Sequence, residues 1–272
     1  MSQYLIKGQS LDRSENCYFP ISEIAGDHRG TGMDFGLLRL CQDQEFQEAP
    51  DFERAYLLIF GEVTLEWAGR RVRISRGNCF DDSPWVLQVP GGMPVRITGA
   101  GAVSELSVHR VRNDRPFATR LYTPGETADE YRGAGTLGET ATRIVRTVFD
   151  FTTAPWSNLV LGEVIGFPGK WSSYPPHSHP QPEIYHYRTC PRSGFAYCDL
   201  GEEVLKVQDR DTVFITDGCI HPHVTAPGYA LWYLWVIRHL DGNPYIAPDF
   251  VSEHQWVTAQ TARFWPERKG GD

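Results

Sequence analysis

Short runs rich in β-branched and aromatic residues, cut by Gly, Pro or Asp turns, make up most of the chain. AYLLIFGEVTLEWAG (55–69), RRVRI (70–74), WVLQV (85–89), PVRITG (94–99) and VSELSVHRV (103–111) read as strands. The same texture returns after residue 158 in NLVLGEVIGFPGKWSSY, PEIYHYR, GFAYCDL, EEVLKV, DTVFITDG, HVTAPGY and ALWYLWVIRHL. Many short strands with regular turn signals predict an all-β sandwich or barrel. The halves also repeat one another. LLIFGEVTLEW before SPWVLQVPGG parallels EIYHYRTCPRSGFAYCDL before DTVFITDGCIHP: paired strands, then a strand that ends in a Gly turn. Two β-barrel domains are expected, over residues 1–130 and 131–272. Residues 113–150 join them, with ETATRIVRTVF as a candidate helix. GAGTLG (133–138) fits a dinucleotide-binding spacing but follows the acidic TADEYR, outside any alternation of strand and helix, so it reads as a connector.

Composition narrows the picture. A hydrophobic fraction of 41% and eight Trp in 272 residues describe a globular chain with a substantial core. A net charge of −8 argues against nucleic acid or an anionic membrane as partner and leaves a small molecule. No signal-peptide core opens the sequence, and the longest apolar run, Ala230 to Ile237, is too short to span a bilayer. Six scattered cysteines, Cys17, Cys41, Cys79, Cys190, Cys198 and Cys219, include no C-x-x-C pair, so reduced thiols in a cytoplasmic protein are expected.

The chemistry concentrates in PPHSHPQPEIYHYR (175–188), where His177, His179 and Glu183 stand as H-x-H-x3-E, and His221 follows in DGCIHPH. Three imidazoles and a carboxylate suit Zn²⁺, Mn²⁺, Fe²⁺ or Ni²⁺ rather than Ca²⁺ or Mg²⁺. On a strand, His177 and His179 share a face, and a turn through Pro180 and Pro182 can return Glu183 to it. The first half has no histidine cluster, so metal is expected only in the second barrel.

The spacing resembles a cupin. His177, His179 and Glu183 fit the middle of the first cupin motif, while Gly169 sits too early and Gly194 too late. Gly218 and His221 hold their places in the second motif, whereas Arg210, Thr216 and Thr225 replace its Gly, Pro and Asn. GKWSSYPPHSHP, EIYHYR, GFAY and IHPHVTAPGYALWYLWVI resemble the bacterial 5-deoxy-glucuronate isomerases of myo-inositol catabolism, grouped with the 5-keto-4-deoxyuronate isomerases in one bicupin superfamily. ERAYLLIFGEVTLEW, FDDSPWVLQVPGG and YRGAG extend the likeness across the first half. The resemblance implies a bicupin fold and aldose–ketose isomerisation. It also implies one divalent ion on His177, His179, Glu183 and His221, zinc foremost, with no organic cofactor and an assembly of identical subunits. A short loop between His179 and Glu183 and the extra His223 depart from the inositol enzymes, which leaves other sugar acids open as substrates.

In such a reaction the proton alpha to an aldehyde moves to the carbonyl carbon through an enediolate, aided by a Lewis acid and a general base. Parity with Glu183 and His221 selects Tyr185 and His223 as candidates for the proton transfer and turns His186 and Arg188 away. Lys170 or Arg238 is expected to hold the substrate carboxylate, and Ser172, Ser173 and Tyr174 its hydroxyls. Two other readings use the same residues: an Fe²⁺ dioxygenase with open positions for O₂, and a non-catalytic sugar-acid binding protein.

Overall fold

The computed structural model describes residues 2–8 and 18–266, almost entirely strand and turn. The first part runs from β1 (Leu5–Ile6) through β2 (Tyr18–Ser22), β3 (Met33–Cys41), β4 (Glu45–Glu48), β5 (Glu53–Trp67), β6 (Arg70–Arg76), β7 (Val86–Val89), β8 (Val95–Gly99) and β9 (Val103–Val111) to β10 (Arg120–Tyr122). The second runs from β11 (Glu130–Arg132) and β12 (Arg143–Phe149) through β13 (Leu159–Gly166), β14 (Trp171–Ser172), β15 (His177–Ser178), β16 (Glu183–Cys190), β17 (Phe195–Leu200), β18 (Glu203–Gln208), β19 (Thr212–Ile215), β20 (His223–Thr225) and β21 (Ala230–Arg238) to β22 (Asp249–Phe250). Among the described residues no helix is long and apolar enough to cross a membrane.

The repeat read from the sequence is a repeat of topology. The larger sheet of the first half holds β7-β5-β9-β3-β2 in order, and that of the second holds β19-β16-β21-β13-β12. A smaller sheet faces each: β4, β8, the end of β5 and β6 in the first barrel, and β14-β20-β17-β18 in the second. Equivalent strands β7 and β19 both end in a turn with a left-handed glycine, Gly92 at φ 73° and Gly218 at φ 67°. The edge of each larger sheet is completed from elsewhere in the chain. β10 pairs with β7, and β1, from the start of the chain, pairs with β19 in the second barrel.

Three hydrophobic cores follow from strand alternation. Along β5, Tyr56 and Leu58 point into the first barrel, while Ala55, Leu57 and Ile59 point the other way. Tyr185 and Tyr187 on β16 fill the second barrel, whereas Ile184 joins Phe35, Leu57, Leu161 and Trp232 in a core shared by the two larger sheets. Strands buried on both faces need apolar residues at nearly every position, which explains runs such as LLIF and ALWYLWVI. Burying each large side chain is worth roughly 1.5–3 kcal/mol, so the shared core fixes the barrels against one another.

ETATRIVRTVF, expected to be a helix, is mostly strand. Residues 143–149 form β12, with Ile144 and Val148 in the shared core and Val145 inside the second barrel. β-branched side chains at Ile144, Val145, Thr147 and Val148 favour the pleat, and both neighbours, β11 and β13, supply ladders. GAGTLG is an exposed turn between β11 and β12, running into a short 3₁₀ segment at Leu137–Glu139. Cys41, Cys79, Cys190, Cys198 and Cys219 are free thiols; Cys17 lies outside the described residues.

Candidate active site

One end of the second barrel gathers His179, Glu183 and His221. His179 follows β15, the turn Pro180–Gln181–Pro182 brings the chain back, and Glu183 opens β16; His221 precedes β20. The Glu183 Oε2 lies 3.2 Å from His179 Nε2 and 3.5 Å from His221 Nε2. One donor atom from each residue falls within 4.8 Å of the other two, and all three residues are buried. His177 stands beside them, its ring edge-on to His221 at 4.8 Å between centroids, but outside that mutual reach.

The imidazoles are held by their far nitrogens. Nδ1 of His177, His179 and His221 bonds the carbonyls of Pro175 (3.1 Å), Gln181 (2.8 Å) and Cys219 (3.0 Å). A carbonyl only accepts, so Nδ1 carries the proton and each Nε2 presents a lone pair. Glu183 Oε2 and His221 Nε2 are buried without a hydrogen-bond partner. Two imidazoles and a carboxylate converging in a buried gap are the donor set of a divalent cation, with the outer hydrogen bonds orienting the ligands.

Ionisation agrees with this in part. Burial pushes His177 down to about 4 and His221 well below the usual imidazole range, so both rings are neutral near pH 7. Burial also lowers His179, but Glu183 outweighs it and raises the ring; burial raises Glu183 against the same partner. A proton shared by His179 and Glu183 would therefore compete with a cation for one gap. The bond from His179 Nδ1 to the Gln181 carbonyl raises the ring further, so a cation that enters the gap has to displace this proton, which makes its binding pH-dependent.

These residues open on a cavity of about 240 Å³, walled also by Ser173, Tyr185, Tyr233 and Trp235, by Arg132 and Arg143 of the β11–β12 hairpin, and by Tyr245, Pro248 and Phe250. The Tyr245 ring lies 4.8 Å from His179 and the Phe250 ring 5.5 Å from His177. Ser173 Oγ is 3.4 Å from the hydroxyls of both Tyr185 and Tyr233. Burial pushes the Tyr233 phenol up to about 12 and that of Tyr185 well above its usual value, so both stay protonated.

The other residues singled out from the sequence divide. Tyr185 lines the cavity; His223 does not, for it is fully buried, with Nε2 2.6 Å from the Tyr187 hydroxyl and its ring stacked on Tyr233. Ser172 accepts a bond from the Tyr233 hydroxyl at 3.1 Å, behind the wall that its neighbour Ser173 forms. Lys170, Tyr174 and Arg238 lie elsewhere. The Lys170 ammonium sits 5.6 Å from the Phe167 ring centre, and Tyr174 packs on Trp171. Arg238 Nε donates to the Thr31 carbonyl at 2.6 Å beside a second cavity of about 800 Å³, which shares only His179 of the cluster with the first. Among the described residues, the cations that line this cavity are Arg132 and Arg143. Reading ETATRIVRTVF as a helix hid Arg143; read as a strand, period two places it on the inward face with Val145. His186 and Arg188 point away as parity required, His186 towards Phe35 and Arg188 onto Glu105 of the first barrel.

The first barrel fills the equivalent end with its own charges. Strand register matches Arg54 to Glu183 and Tyr56 to Tyr185. Arg54, fully buried, donates to the Tyr56 hydroxyl (3.2 Å) and the Glu48 carbonyl (3.3 Å). Glu48 in turn takes bonds from Tyr56 (2.6 Å) and Arg110 (2.6 Å). A guanidinium thus occupies the position of the carboxylate in the second barrel.

A family model described as the KduI/IolB family matches residues 5–257. A 5-deoxy-glucuronate isomerase of Geobacillus thermodenitrificans is 27% identical over 282 residues, covering 94% of this chain and 96% of that protein. One from Lacticaseibacillus casei is 27% identical over 251 residues, covering 81% and 86%. Among solved structures, an IolB-like protein from Salmonella typhimurium superposes with a TM-score of 0.84 at 22% identity, over 95% of this chain and all of that one. An oxalate decarboxylase from Bacillus subtilis superposes at 0.64 and 13% identity, over 96% and 82%. The two superpositions show a shared fold, the double barrel of cupins.

Proposed function

Since the chain belongs to the KduI/IolB family, we propose that it is a sugar-acid isomerase that interconverts an aldose and a ketose. The substrate we favour is a deoxy uronic acid, with 5-deoxy-glucuronate to 2-deoxy-5-keto-gluconate, a step of inositol catabolism, as the preferred pair. One observation carries the reading: buried donor atoms of His179, Glu183 and His221 meet at the wall of a cavity that also holds phenols and guanidinium groups. These three residues are assigned to one divalent ion, zinc before manganese, iron or nickel, and His177 completes the set through its free Nε2. When bound, such an ion supplies Lewis acidity at a carbonyl oxygen.

Everything else falls to the chain. The phenol of Tyr185, kept protonated by burial and steadied by Ser173, is a hydrogen-bond donor towards a substrate oxygen. Tyr233, Trp235, Tyr245 and Phe250 exclude water, which strengthens every polar contact inside. His223 is a positioning residue: it fixes Tyr187 and, through its Nδ1 bond to the His221 carbonyl (2.8 Å), the approach of a ligand. In this proposal the second barrel carries the chemistry. The first, with Arg54 where the carboxylate would stand, supports it.

The test is direct. Metal-replete protein is incubated with the aldehyde acid in deuterated water and the carbon alpha to the carbonyl is followed by NMR. Ketose formation with deuterium incorporation is expected. Failure to convert any uronate-type aldose at full metal occupancy ends the isomerase reading.

A further inference from the structure

The β11–β12 hairpin brings two arginines to the cavity, opposite one another in the ladder at Arg132↔Arg143. They are not alike. Arg132 is exposed, and its guanidinium meets Glu130 at 2.9 Å. Arg143 is half-buried, and its Nη1 donates to the Ala141 carbonyl at 2.9 Å. Among the described residues no carboxylate pairs with it; the charged and titratable groups that act on it are Arg132, Tyr185 and Tyr233. Burial and Arg132 both work against its charge. A guanidinium offers five N–H donors; the Ala141 carbonyl takes one, which leaves others available to an anion in the space beside it. Here the neighbouring space is the cavity that holds the metal-ligand cluster.

We propose that Arg143 is the anchor of the substrate carboxylate, with Arg132 as a weaker outer cation. The acid end of the substrate is then held at the hairpin and its carbonyl end is left for His179, Glu183 and His221. The proposal rests on the isomerase reading for what the cavity transforms, though not for the anion subsite itself. A planar guanidinium matches a carboxylate with two parallel bonds, which an ammonium cannot do, and a polar group built for one partner rejects an analogue that lacks it. The cavity should therefore prefer six-carbon acids to neutral sugars of the same length.

The test uses the metal-loaded protein and two probes that cannot isomerise, a six-carbon aldonate and the matching alditol, titrated by calorimetry. Wild type should bind the aldonate and discriminate against the alditol. Arg143→Gln should weaken aldonate binding by between about tenfold and about a hundredfold with metal content unchanged, and Arg143→Lys should recover only part of it. Arg132→Gln should cost less. Thermal unfolding separates recognition from scaffolding: without ligand, Arg143→Met should melt no lower than wild type, because a partly desolvated charge with no carboxylate partner among the described residues is removed, and its midpoint should no longer rise with aldonate. For turnover, KM for the uronate should rise more than kcat falls. Equal aldonate affinity in Arg143→Gln, no preference for the aldonate in wild type, or a marked drop in melting temperature for Arg143→Met would overturn the assignment. Arginine-dependent aldonate binding without turnover of any uronate would keep the anchor and remove the isomerase reading instead.

Discussion

Glu183 is buried among acceptors, and its charge is what a cation at this site would need most. Glu183→Gln keeps the shape but replaces an oxygen by an amide that can donate to His221 Nε2, so the protein satisfies its own lone pairs. Divalent metal, measured by elemental analysis, should fall to a small fraction of one per chain, and turnover with it, while stability changes by less than about 2 kcal/mol. A variant that keeps full metal would remove Glu183 from the ligand set. His177 lies outside the mutual reach of the other three, so His177→Ala should lower occupancy less than His179→Ala. Equal losses would make it a full ligand.

At the scale of elements, the segment after β21 works as a strap across the site. β22 pairs with β15 at His177↔Phe250, Gln181 Nε2 donates to the Asn243 carbonyl at 2.9 Å, and the Val251 amide reaches the Pro176 carbonyl at 3.0 Å. Only two ladder pairs hold β22, and Phe250 is 45% exposed, so the strap contributes little to the core. Combining Tyr245→Ala with Phe250→Ala should raise KM and speed the loss of metal to a chelator several-fold, with unfolding free energy reduced by about 2 kcal/mol or less. A large loss of stability without a change in chelation rate would make the strap a structural element rather than a cover.

For the molecule as a whole, the interface between barrels carries buried charge as well as apolar surface. Arg76 and Glu163, both without exposure, meet through bonds of 2.7 and 2.8 Å from β6 of one barrel to β13 of the other. Arg76→Ala removes both direct hydrogen bonds and leaves the buried Glu163 only Arg146, 3.6 Å away, and should destabilise by about 3 kcal/mol in chemical denaturation; replacing both Arg76 and Glu163 by apolar residues should cost less. His109 and His186 flank Phe35 at the same interface, and burial pushes both rings down to about 3. In the unfolded chain their pKa is about 6.5, so below that pH protons bind the unfolded state first. Their contribution is complete above about pH 6.5 and declines as pH falls towards 3, by about 1.4 kcal/mol per pH unit for each ring. His109→Gln should flatten that slope by one ring's share; an unchanged slope would show that His109 is protonated in the folded state.

Period-two alternation and turn residues are local, and they alone determined the strands from Glu53 to Val111 and from Leu159 to Arg238, the internal repeat, and a histidine–glutamate set on one barrel. Local signals also separated Tyr185 and Tyr187 from His186 and Arg188, since a strand has only two faces. Other decisions came from partners distant in sequence. β1 joins β19 across some two hundred residues, and residues 143–149 are strand because β11 and β13 flank them. Which cation faces the cavity could not be read from spacing along the chain. Lys170 and Arg238 are near the ligands in sequence or strand order, yet their side chains leave for Phe167 and Thr31. Arg143 arrives from the β11–β12 hairpin, within the stretch whose polar, Gly- and Pro-rich start reads as a link between barrels. Alternation sets a side chain's face, whereas the closure of the barrel sets what that face meets.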